Sequence, residues 1–256
     1  MKIQNLLNRP KERLALTPHP ILGKKTDSEA TVYVYEEIGG WGLNALDFSK
    51  EISALDVDTI HLRINSPGGD VFAARAMQTT LKQHKAKVIA HIDGFAASAA
   101  SYLMLAADEI EIADGGFIMI HNAATGIDIY GYFMADDLLN LMVEIDKEVD
   151  LLTKVDESIL NDFVKKTGKT IDQFRQWMKD TTWFTAQEAL EAGLVDRVYD
   201  GEKVENKWDF SGYQNCPEPL KNITKQEQEP KADEIQPKPA VDTSALLRRL
   251  ELELQY

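Results

Sequence analysis

TIHLRINSPGGDVFAARAMQTTLKQHKAKVIAHIDGFAASAASYLMLAA, residues 59–107, reads as strand, turn, helix, strand, turn and helix in succession. Residues 59–65 read as a strand and stop at Ser66-Pro67-Gly68-Gly69. Residues 71–84 carry helical spacing, 87–92 form a second strand, and a glycine turn at Gly94 leads into an apolar helix over 98–107. Strands alternating with helices at this interval predict parallel strands joined by crossover helices, an α/β fold. The alternation extends both ways. Residues 30–38 read as a strand closed by Gly39-Gly40, and 41–55 as a helix. Beyond the quoted stretch, 109–112 and 117–121 are short strands about Asp114-Gly115-Gly116, and 194–199 is a closing strand. Between them residues 133–167 form one long amphipathic helical pattern, too long to bury in a small domain, which is expected to project and pair with a neighbouring subunit.

The 256 residues, 44% of them hydrophobic, suffice for one sizeable domain with appendages. Residues 1–28 are polar and irregular, 29–211 make the main domain, 212–240 read as a flexible polar linker, and 241–256 recover helical spacing through Leu246, Leu247, Leu250 and Leu254. A net charge of −14 argues against nucleic acid as a partner. No apolar run approaches the ~18 residues of a membrane span, and residues 1–10 lack the apolar core of a signal peptide, so a cytoplasmic protein is expected. The single cysteine, Cys216, excludes a disulfide framework and a thiolate metal site, and neither metal nor cofactor is expected.

Ser98 follows a strand among small residues at a helix start, which leaves room for a substrate backbone beside a hydroxyl and unpaired N–H groups. Alone, an Ala/Ser run marks a tightly packed helix start; a nucleophile also needs a base, a carboxylate and oxyanion donors. Five histidines are available. His19 lies in the irregular stretch, His61 and His91 lie inside strands, and His84 ends a helix among lysines. His121 ends an apolar strand and opens a loop, and groups at the carboxyl ends of parallel strands share one crevice. Ser66-Pro67-Gly68-Gly69 ends a third strand, and its Gly69 N–H with that of Ala99 makes a two-donor oxyanion hole. Acidic candidates are numerous. Asp180 stands out at a helix end beside aromatics, but spacing does not decide between it and Asp114, Asp136, Asp137 or Asp172.

Asn65-Ser-Pro-Gly-Gly69, Gly94-Phe-Ala-Ala-Ser98, Ile118-Met-Ile-His121 and Phe184-Thr-Ala-Gln-Glu-Ala189 with Gly193-Leu-Val-Asp196, in this order, resemble the ClpP-type serine peptidase family. The resemblance implies a ClpP/crotonase-like fold of repeated ββα units with a long protruding handle helix. It implies Ser98 as nucleophile, His121 as general base, Gly69 and Ala99 as oxyanion donors, and Asp180 as the closest match to the family aspartate. It also implies protein substrates and a homo-oligomeric ring, single or stacked in pairs. Asn122-Ala123 after the histidine, Asp180-Thr-Thr-Trp183 and the extended polar C-terminal region resemble the phage branch, the head maturation proteases that trim capsid and scaffold precursors in the host cytoplasm or within the procapsid. No nucleotide-binding loop is present, so any ATPase partner would be a separate chain. Two alternatives stand beside this reading: a catalytically silent assembly protein of the same fold, and a crotonase-type acyl-CoA enzyme.

Overall fold

The computed structural model describes residues 21–40, 42–127, 129–201 and 208–221. The chain divides into two units, 1–223 and 224–256. The second unit lies outside the described residues, and with it the expected C-terminal helix and most of the expected linker.

The first unit is built on a sheet of eight strands: β1 (Leu22–Lys25), β2 (Glu29–Val34), β3 (Thr59–Ser66), β4 (Lys87–Ala97), β5 (Glu109–Ala113), β6 (Phe117–Ile120), β7 (Thr182–Thr185) and β8 (Arg197–Tyr199). The main order is β1-β2-β3-β4-β5-β8, with β6 pairing both β4 and β7. β2 through β5 and β8 run parallel, as does β6 against β4; β1 on β2 and β7 on β6 are antiparallel. Alternation dictates the two faces. Val32, Leu62, Ala90 and Ile110 stand in register and are fully buried on one face. That core also takes Phe48 and Ile52 of α1 (Ala45–Ser53), Met77 and Leu81 of α2 (Val71–Gln83), and Ile159, Leu160 and Phe163 near the end of α4 (Ala135–Thr167). Asn44 and Asp70 start α1 and α2 by accepting the first free N–H groups on their side-chain oxygens.

Several expected boundaries shift. β4 does not turn at Gly94 but continues to Ala97, because its small residues let a second strand close in: Phe95, Ala96 and Ala97 pair with Phe117, Ile118 and Met119 of β6. The helix after Ser98 is a short α3 (Ala99–Leu103) continued by a 3-10 turn, Met104–Ala106. The amino-terminal stretch contributes β1, and α1 starts only at Ala45. Between α5 (Ile171–Lys179) and α6 (Ala186–Ala192), both at their expected positions, the structure adds β7, a strand the sequence pattern does not assign.

The largest difference lies at residues 208–221. The polar stretch expected to begin a linker at residue 212 is packed on the body through Cys216 and Leu220 and ends in the short α7 (Glu218–Lys221). Phe210, Cys216 and Leu220 are buried with Phe95, Ala97 and Met119, forming a second apolar cluster over the ends of β4 and β6.

Candidate active site

Ser98 sits at the elbow between β4 and α3 with φ 53° and ψ −125°. A non-glycine residue there carries backbone strain, of order 1–3 kcal/mol, which the surroundings must hold. They do so from two sides: the Ser98 N–H donates to Met119 O at 2.9 Å, and the Ser98 carbonyl accepts from the Ser101 hydroxyl at 2.6 Å. Ser101 is therefore a capping hydroxyl, and Ser98 is the serine whose side chain is left for chemistry. Its Oγ lies 2.8 Å from His121 Nε2.

His121 directly follows β6, and its loop is tied down by its neighbours. The Asn122 N–H donates to Met178 O at 3.2 Å, and the Ala123 N–H to Asp156 Oδ1 at 2.6 Å. Burial pushes the imidazole below its ordinary range, so it stays neutral at neutral pH. A neutral ring with its proton on Nδ1 accepts the Ser98 hydroxyl proton at Nε2. The hydroxyl and the imidazole are thus already in hydrogen-bond reach of each other.

The Pro-Gly-Gly turn lies directly on the elbow. Gly68 has φ +88°, and a Cβ on it would stand 2.5 Å from Ala97 O and 2.6 Å from Ala99 N. Gly69, at φ +140°, has no more room: a Cβ would meet Ile38 O at 2.2 Å. Bonds from the Ile38 N–H to Gly68 O (2.7 Å) and from the Asp70 N–H to Ile38 O (2.8 Å) engage both neighbours of Gly69 and leave its own N–H outside the ladder. Ala99 is the first residue of α3, so its N–H has no partner within the helix. The end of β3 thus meets the end of β4, and among the described residues neither the Gly69 N–H nor the Ala99 N–H has an acceptor.

Asp180 is placed differently from its expected partners. It caps the end of α5, is exposed, and its Oδ2 accepts from Gln176 Nε2 at 2.8 Å. Among the described residues no carboxylate hydrogen-bonds His121, and burial alone accounts for the shift of its ring. Asp172 lies in the first turn of α5, Asp136 and Asp137 in that of α4, and Asp114 in the turn between β5 and β6. The structure therefore unites Ser98, His121 and the Gly68–Ala99 region and leaves Asp180 facing Gln176.

Sequence reasoning missed Tyr213. Its ring stands edge-on to His121, with centroids 5.7 Å apart and planes at 83°. The signal was present in Trp208, Phe210, Tyr213, Cys216 and Leu220, an apolar series inside a stretch dominated by polar residues. Among the described residues no cluster of metal-ligating side chains occurs, and no helix is long and apolar enough to cross a membrane.

Residues 32–202 match the Clp protease family. The chain is 30% identical over 194 residues to the ATP-dependent Clp protease proteolytic subunit 1 of Corynebacterium jeikeium, covering 75% of this chain and 92% of that protein. Over 142 residues it is 32% identical to proteolytic subunit 3 of Rhodococcus jostii, covering 54% of this chain and 64% of that protein. Over 165 residues it is 27% identical to the chloroplastic Clp protease proteolytic subunit-related protein 2 of Arabidopsis thaliana, covering 59% of this chain and 54% of that protein. It thus spans less than two thirds of the Rhodococcus and Arabidopsis relatives. Among solved structures, a point mutant of ClpP1 from Listeria monocytogenes matches with a TM-score of 0.56 at 26% identity, covering 67% of this chain and 91% of that one.

Proposed function

The chain belongs to the Clp protease family, and on that premise we propose that it is a serine endopeptidase with Ser98 as nucleophile and His121 as general base. The observation that carries the reading is the 2.8 Å approach of Ser98 Oγ to His121 Nε2 at a strained elbow. In the reaction His121 takes the Ser98 proton as Oγ bonds to the scissile carbonyl carbon, and the N–H groups of Gly69 and Ala99 receive the oxyanion. His121 then returns the proton to the departing amine as the C–N bond breaks. Water, deprotonated by the same ring, releases the acyl group from Ser98.

The substrates we propose are capsid and scaffold precursors processed by a ring of identical subunits. Support comes from the residues after His121, from the region beyond residue 202 that the family match does not include, and from the apolar side chains that α4 exposes. A fluorophosphonate probe tests the chemistry: the wild type takes the label and Ser98→Ala does not. Equal labelling of the two removes Ser98 as nucleophile. Mass spectrometry of the chain incubated with capsid and scaffold proteins tests the substrate assignment through the appearance of discrete cleavage products. One observation favours a second reading, a catalytically silent assembly protein: among the described residues no carboxylate hydrogen-bonds His121. An unlabelled wild type that still assembles would establish it.

A further inference from the structure

We propose that Tyr213 is a positioning residue of this site, its ring holding the His121 imidazole in the orientation that presents Nε2 to Ser98. The inference rests on the serine peptidase reading and adds a part of the chain that lies beyond the matched residues 32–202.

The packing of residues 208–221 fixes Tyr213 from both sides. Three residues before it, Phe210 is fully buried and stands edge-on to Phe95 (4.7 Å, 84°) and to Trp183 (5.3 Å, 79°). Directly after it, Gln214 O accepts from Trp183 Nε1 at 3.2 Å, and Asn215 Nδ2 donates to Asp180 O at 2.6 Å. Asn215 adopts φ 54°, a left-handed conformation that asparagine tolerates, which turns the chain back onto the body. Cys216 and Leu220 then bury themselves beside Met119, two residues before His121. Tyr213 is thus anchored by β4, β6 and β7, the same framework that carries Ser98 and His121. An aromatic edge against a ring face has a preferred geometry, so this contact resists rotation of the imidazole about its side-chain torsions.

The electrostatic surroundings agree. The titratable groups that act on the pair are Ser98 on the elbow, which meets His121, and Glu37, which acts on Tyr213; Asp156 of α4 is spent on the Ala123 N–H, and Asp180 after α5 faces Gln176. Burial and Glu37 push the Tyr213 phenol up, so the group against His121 is a neutral ring. Tyr213 therefore performs by packing the orienting task that a carboxylate performs in a three-residue arrangement.

The test compares Tyr213→Ala, Tyr213→Leu and Tyr213→Phe in the full chain. Expected for Ala and Leu is a fall in kcat of about tenfold to a hundredfold with little change in KM, since a slightly misplaced base costs rate rather than binding. Expected for Phe is rescue to within about twofold, because the ring is kept. NMR titration of the His121 ring supplies a readout independent of turnover: in Tyr213→Ala its midpoint rises toward the ordinary imidazole value as water reaches the ring. The inference is overturned if Ala and Leu leave kcat and the His121 titration unchanged, or if Phe behaves as Ala does. The Leu variant retains apolar volume where Ala fails to fold. A wild type that takes no fluorophosphonate label overturns the peptidase reading itself, while the His121 titration still reports whether Tyr213 shields the ring.

Discussion

At the level of single residues, the site depends on three backbone conformations that L side chains avoid, at Gly68, Gly69 and Ser98. Gly68 combines φ +88° with contact on Ala97 O and Ala99 N, so Gly68→Ala forces the turn and the elbow apart. We expect a loss of about 2 kcal/mol in urea unfolding and a larger proportional loss of kcat, because the N–H proposed as an oxyanion donor moves with the turn. On the proposed reading His121 sets the pH dependence. The base must be neutral, and burial keeps it neutral further into acid, so the acid limb of kcat/KM falls with a midpoint below the ordinary imidazole value of about 6.5. A midpoint above that value would show a carboxylate acting on the ring. Asp180→Asn decides the remaining residue. With its carboxylate on Gln176, Asn at this position leaves kcat within about threefold, whereas an orienting aspartate of a triad would cost about 10⁴ in kcat. Ser98 and His121 were legible because each follows a strand, and parallel strand ends converge. The acid was not, since a side chain at the end of α5 is aimed by local bonds to Gln176 that residue spacing does not encode.

Among the elements, the parallel body from β2 to β5 followed from apolar alternation and glycine punctuation, and its boundaries agree to within a residue or two at β3 and α2. What escaped was pairing decided by distant chain. β7 has four residues and exists because Phe117 to Ile120 offers it an antiparallel partner; β4 runs past Gly94 for the same reason. The 208–221 segment escaped because Gln, Asn, Pro and Glu separate its apolar anchors, and only the exposed flank of β4 and β6 gives those anchors a place to pack. The face of the sheet turned away from the helices shows a further organisation that alternation alone did not announce. Asp93 of β4 is 4% exposed and accepts from Arg63 of β3, from the hydroxyl of Tyr35 at 2.5 Å and from that of Tyr199 of β8 at 2.7 Å. One carboxylate thereby ties the edge strand β8 to the centre. Burial and this carboxylate push both tyrosines up, so they remain hydroxyl donors throughout the physiological range. Asp93→Ala strands three donors. Because Arg63 is partly open to water, the cost falls below the 3–5 kcal/mol of a fully buried broken pair, and we expect about 2 kcal/mol in equilibrium unfolding. Asp93→Asn recovers part of it, since an amide oxygen still accepts from the hydroxyls. No change in either variant would mean the cluster contributes nothing net.

For the whole molecule, the decisive feature is α4. At 33 residues it is about 50 Å long, yet its burial is concentrated in the last turns, with Ile159, Leu160 and Phe163, and earlier along it only Leu141 is buried. Earlier along it Leu138, Leu139, Met142, Val143, Val149 and Leu151 are exposed, and the chain leading into it adds Ile129, Tyr130, Tyr132 and Met134. A helix of this kind gains little from propensity alone, and isolated apolar side chains need no explanation, but a run of them along one projecting helix does. Each such side chain contributes about 1.5–3 kcal/mol when fully covered, enough in combination to offset the entropy of association. Charge works in the other direction: a chain with net −14 repels its own copies, so the contact must be apolar and should strengthen with salt. The same helix reaches the site through Asp156, whose bond to the Ala123 N–H fixes the loop after His121. Assembly along α4 is therefore expected to hold that loop more firmly and raise activity. Leu138→Glu combined with Met142→Glu tests this. Both side chains are exposed in the single subunit, 47% and 65%, so the fold and its melting transition in the monomer are expected to persist. In sedimentation velocity the wild type runs as a multiple of the chain, and the double variant as a monomer. Peptide hydrolysis falls with dissociation and recovers toward the wild-type value at high protein concentration. A double variant that sediments with the wild type would place the subunit contact elsewhere, and a fully active monomer would show that the loop after His121 is held by Asp156 without a neighbour.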